Sequence, residues 1–115
     1  MDELIARTAA NAGIEPAAAR KAVAIIAGFL AREGPQESIQ AMMDKLPGAR
    51  ELAGEAPAGS GNGIMGAYGD LTAAGLGMGA IRQVTKDFVA YAREQAGEAE
   101  VDRVIAAIPG LGQFV

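Results

Sequence analysis

The second half of this chain repeats the pattern of its first at a single offset. Gly13 and Gly75, Arg20 and Arg82, and the turns Leu46-Pro47-Gly48 and Ile108-Pro109-Gly110 all stand 62 residues apart with no gap. Similar residues fall in the same register: Ile14 with Leu76, Ile26 with Phe88, Phe29 with Tyr91, Ile39 with Val101, Met42 with Val104, Met43 with Ile105 and Leu52 with Phe114. Identities are few, so pattern is shared more than text. A repeat of this period constrains architecture before any single residue does. At 115 residues the chain is one domain's length, and two separate units of half that size would each be marginal, so the repeats are expected to share one core.

Periodicity is helical throughout, with no sustained strand alternation. A first segment over Asp2 to Ala12 places Leu4, Ile5 and Thr8 on one stripe and stops at Gly13, a C-cap residue. A second starts near Pro16 and ends before Gly34. A third starts at Pro35 and buries Ile39, Met42, Met43 and Leu46 before Pro47-Gly48 breaks it; both prolines suit a first helical turn. In the second half, Ile81, Val84, Phe88, Tyr91, Ala92 and Gln95 form the inward stripe of a long helix, with Arg82, Lys86, Asp87, Arg93 and Glu94 opposite. A last helix over Glu98 to Ala107 turns Val101, Val104, Ile105 and Ile108 inward, and its acidic start complements the helix dipole. Leu111, Phe114 and Val115 are expected to fold back onto the core.

Between the halves, residues 54–63 are mostly glycine, proline and small polar residues, the composition of a flexible linker. The stretch Ile64 to Leu71 is a weak helix by propensity, because each glycine costs about 1 kcal/mol against alanine. It is expected either as a fourth helix drawn tight by its glycines or as a partly ordered segment. The expected fold is therefore all-α, about six helices in two pseudo-symmetric three-helix repeats, 1–53 and 64–115, around one core. Alanine is the largest part of the 50% hydrophobic composition and there are 16 glycines, so that core must depend on close backbone approach.

Composition removes whole classes of chemistry. There is no cysteine and no histidine, which excludes disulfides, thiolate metal sites and the commonest general base and metal ligand. No catalytic, cofactor-binding or metal-binding residue is expected. Serines occur only at Ser38 and Ser60, without a base to activate them. The carboxylates Glu98, Glu100 and Asp102 spread around an outer helical face. Lys21, Lys45 and Lys86 fall where periodicity predicts exposure. Gly61-Asn62-Gly63-Ile64-Met65-Gly66 spells a dinucleotide-binding string, but no strand precedes it and no βαβ unit surrounds it.

A net charge of −4 without any basic cluster argues against nucleic acid as a partner. The N-terminus is acidic where a secretory signal is basic. The uncharged run Ala22 to Ala31 is about half the length needed to span a bilayer. A cytoplasmic protein without a membrane span is the expectation.

The positions where the repeats disagree carry the functional clue. The second helix shows Val23, Ala24, Ile25 and Ala31 where the fifth shows Thr85, Lys86, Asp87 and Arg93. It is thus apolar nearly all round, and such a helix is covered on more than one side. The cover comes from inside, through the first or the glycine-rich fourth segment, or from outside, through a second copy or a partner helix. The favoured expectation is a non-enzymatic interaction protein that forms a homodimer or meets a protein partner through Ile25, Phe29, Ile64, Met65 and Tyr68. The alternative is a carrier or sensor of a small apolar ligand held between the halves. Arg20 and Arg82, at equivalent positions, read as surface arginines held by carboxylates.

The stretch Gly75-Leu76-Gly77-Met78-Gly79-Ala80-Ile81, with Phe88-Val89-Ala90-Tyr91 and Gly97-Glu98 after it, resembles the VcgC/VcgE-like family of small bacterial helical proteins of unknown function. The first half, Ala18 to Ala53 with its Leu46-Pro47 turn, is similar in pattern to another uncharacterised bacterial helical-repeat family. These resemblances imply an all-helical bacterial protein and carry no catalytic residues with them.

Overall fold

The computed structural model describes residues 2–55 and 63–108, except for the side chains of residues 63 and 64. Seven helices and no strand occur among the described residues: α1 (Asp2–Ala12), α2 (Pro16–Glu33), α3 (Gln36–Asp44), α4 (Ala49–Glu55), α5 (Gly63–Ala73), α6 (Met78–Ala96) and α7 (Glu98–Ala107). The all-helical expectation holds, but the helix count differs. After the Pro47-Gly48 turn the chain re-enters a helix, α4, because Ala49 and Leu52 dock against α2 and repay a segment too short to be stable alone. Of the expected linker, Gly54 and Glu55 belong to α4 and Gly63 opens α5, and residues 56–62 lie outside the described residues. The tail expected to fold back, Leu111 to Val115, lies outside the described residues.

Helix ends follow local chemistry. Pro16 occupies the first turn of α2, and Gly34 ends that helix with its N–H donating to the Leu30 carbonyl. α1 and α5 close with the same device. The Ile14 N–H donates back to the Ala9 carbonyl at 3.1 Å and the Leu76 N–H to the Leu71 carbonyl at 3.2 Å. In both, the intervening glycine, Gly13 or Gly75, takes a positive φ of 66° or 96°. This is the glycine-dependent closure that satisfies orphaned carbonyls at a helix end.

The long helices α2 and α6 run through the middle of one continuous apolar cluster, which draws residues from both halves, from Leu4 to Ile108. α2 packs on α1, α3, α4, α5 and α6; α6 packs on α1, α2, α3 and α7; and α3 also packs on α7. α1 therefore reaches across to α6, and α5 reaches back to α2. This crossing places a second covered face on each long helix.

Candidate functional site

Both seams made by that crossing involve the face where Ile25 and Asp87 stand at equivalent register. In the α1/α6 seam the contact is polar. Asp87 is 7% exposed, and its carboxylate accepts hydrogen bonds from Asn11 Nδ2, 3.3 Å from each oxygen, and from Gln83 Nε2 at 3.0 Å. Around the corner of the same seam, Arg7 pairs with Glu94 through two hydrogen bonds of 3.1 and 3.2 Å and lies 5.9 Å from the centre of the Tyr91 ring. The Glu94 hydrogen bond, above all, holds the Arg7 guanidinium pKa above its ordinary value. Beneath this layer Thr8 is fully buried, its hydroxyl without a hydrogen-bond partner among the described residues.

The expectation that Asp87 faces solvent is therefore corrected. It sits on the outer side of α6 only if α6 is viewed alone, and α1 covers that side. Buried Thr85 on the same helix meets its own hydrogen-bonding need by donating to the Ile81 carbonyl at 2.8 Å. Gln95, expected inward, is exposed.

The α2/α5 seam is the apolar counterpart, and it is incompletely filled. A groove of about 540 Å³ lies there, floored by Ala17, Ala24, Ile25, Ala73 and Ala74. Its charged residues are Arg20, Lys21, Glu55 and Asp70. Arg20 is held by Glu55 through a two-pronged contact, Nε to Oε1 at 3.1 Å and Nη2 to Oε2 at 2.6 Å, which holds the arginine pKa above its ordinary value. Half of the expectation for the equivalent arginines is met at Arg20. Arg82 is exposed, without an ion pair among the described residues. Asp70 has an interaction of its own. Lys21 is exposed and has no ion pair or hydrogen bond among the described residues.

The void enclosed between the long helices is far smaller. It measures about 20 Å³ and is lined only by apolar atoms of residues such as Ile26, Phe88 and Val104. That is room for about one water and no polar partner to hold it. The groove along α2 and α5 is thus open to the surface, whereas this void between the long helices is too small for a ligand.

The residues expected to form an interaction surface divide. Ile25 and Phe29 are 4% and 2% exposed and belong to the core of the single chain, so their expected role as an open surface is corrected. The physical reason is internal cover: α4 and α5 occupy the faces of α2 that would otherwise be bare. Met65 is 72% exposed and Tyr68 is half-buried, both on α5. The side chain of Ile64 lies outside the described residues. Met42 and Met43 are core residues. Of the glycine-rich string, Gly63 to Gly66 open α5, and Gly61 and Asn62 lie outside the described residues.

No grouping of three or more acidic side chains able to hold a metal ion occurs among the described residues, and none of the described helices is long and apolar enough to cross a membrane. Comparison with family models, curated proteins and solved structures returns no match. Nothing in the sequence periodicity pointed to the groove. Its signal was a mismatch of bulk across the repeat, with Ala73 on α5 standing where Asn11 stands on α1.

Proposed function

We infer that this is a non-enzymatic helical protein that binds a small, largely apolar ligand in the groove between α2 and α5. The observation that carries the reading is the groove itself. Its volume of about 540 Å³ falls within the range of small-molecule sites, roughly 300–1,000 Å³, and it combines an apolar floor with a few polar groups. Small residues stand on both walls of this seam, Ala24 on α2 and Ala73 on α5. The description of the chain as two three-helix repeats belongs to the same reading. It is supported by the starts of α2 and α6 at Pro16 and Met78, and of α3 and α7 at Gln36 and Glu98, both pairs in the register of the sequence repeat.

The test is native mass spectrometry of freshly purified protein, with an adduct of roughly a few hundred daltons expected for a pocket ligand. Ala73→Phe, an exposed position on the groove wall, places a ring in the ligand's space and should remove the adduct while leaving the circular dichroism spectrum unchanged. An unmodified protein that never carries or takes up an apolar ligand would end this reading.

Self-association is the second reading, supported by the outer face of α5. Met65 and Tyr68 lie one turn apart there, and among the described residues Met65, 72% exposed, is the more exposed of the two large apolar side chains that stand out in water, the other being Met78 at 48%.

A further inference from the structure

We propose that the ligand of the α2/α5 groove carries a carboxylate, seated on Lys21, behind an aliphatic body lying on the alanines. The proposal rests on the groove being a ligand site and adds the chemistry of its occupant. The argument comes from the other seam of the same chain. There a carboxylate, that of Asp87, already sits between the paired helices, accepting hydrogen bonds from Gln83 on α6 and Asn11 on α1.

Moving by the 62-residue register to the α2/α5 seam, Gln83 becomes Lys21, Asp87 becomes Ile25 and Asn11 becomes Ala73. The acid at the register of Asp87 is gone, and the carboxylates that remain at the groove, Glu55 and Asp70, each have an interaction of their own. The residue that donated to it is replaced by a cation, a stronger partner for a carboxylate than an amide. Lys21 lines the groove and has no charge partner among the described residues, whereas Arg20 beside it is already committed to Glu55 and Asp70 has an interaction of its own. Shortening Asn11 to Ala73, which lines the groove, leaves space that the aliphatic part would take. A carboxylate brought by a ligand would thus restore the charge pattern that Asp87 supplies internally to α6.

The experiment uses the full chain with three probes of one chain length: decanoate, decanol and decyltrimethylammonium, each below its micelle concentration. Binding is read by calorimetry and located by amide shifts at Ala24, Ala73 and Ala74. Decanoate is expected to bind at least about tenfold more tightly than decanol, the worth of one charge-assisted contact. Lys21→Met, which keeps the aliphatic stem at an exposed position, should bring decanoate down to the decanol level and leave decanol unchanged. Equal binding of decanoate and decanol, a preference for the ammonium probe, or a Lys21→Met protein that still prefers decanoate would overturn the carboxylate proposal with the groove reading intact. Failure of all three probes to shift groove amides would overturn both the carboxylate proposal and the groove reading.

Discussion

At the scale of single residues, Asp87 and Ile25 show how one position can be buried in two chemical languages. A carboxylate taken out of water is costly unless hydrogen-bonded, and Asn11 and Gln83 provide that compensation for Asp87. Removing Asn11 alone should therefore be expensive. Asn11→Ala is expected to lower the unfolding free energy by about 1 to 3 kcal/mol, the range for leaving a buried polar group short of a partner. The double change Asn11→Ala with Asp87→Ile rewrites this seam in the apolar form already found at Ala73 and Ile25. It should recover most of that loss, because replacing both partners by apolar groups is close to neutral. Urea unfolding of the three proteins checks this, and an Asn11→Ala midpoint equal to that of the parent would show that the seam is not held through Asp87.

At the scale of elements, α5 is the informative case. Its glycines make it a poor helix alone, yet Ala67 and Leu71 are buried and α5 packs on α2, so tertiary burial supplies what propensity lacks. Its closure depends on Gly75, whose φ of 96° is one that a side chain strains to adopt. Gly75→Ala should destabilise the fold by about 1 to 2 kcal/mol, the cost of a left-handed backbone for an L-residue. Gly79→Ala is the contrasting substitution. An added Cβ there meets nothing within 4 Å, and the residue lies in the first turn of α6, so a gain of up to about 1 kcal/mol is expected. Thermal denaturation of the pair should show shifts of opposite sign; shifts of the same sign would mean that α5 does not end through this turn. α4 shows the limit of pattern reading at this scale. Seven residues with two apolar anchors give no periodic signal, and only their contact with α2 makes them a helix.

For the molecule as a whole, the deciding feature is the crossing of α1 onto α6 and of α5 onto α2. It closes the apolar back of α2, with Ile25 and Phe29, from within the chain, and among the described residues it leaves Met65 and the half-buried Tyr68 facing outward on α5. Association through that surface predicts a dimer mass by light scattering after gel filtration, shifted to monomer by Met65→Asp, a change at a position 72% exposed that leaves the core untouched. A monomer mass for the unmodified protein at every concentration would remove the self-association reading.

Helix type, the boundaries of α2 and most of the core were legible in the chain itself, because they rest on near-neighbour physics: a 3.6-residue stripe, prolines in first turns and glycines after last ones. Leu4, Ile39, Met42, Val84, Phe88 and Val104 could be assigned inward on that basis, and all are buried. The same reasoning put Asp87 in solvent, left open whether Ile25 and Phe29 are covered from inside the chain or outside it, and gave a ligand site between the halves only as an alternative without a place. Periodicity says which face of a helix is apolar, but not which other helix will come to lie on it. Contacts between Asn11 and Asp87, or between α5 and α2, join residues far apart in the sequence. Which of them form depends on the path of the whole chain. Helical periodicity in the chain thus determined the kind of elements, and the tertiary crossing of α1 and α5 decided which seam is sealed by a buried carboxylate and which stands open.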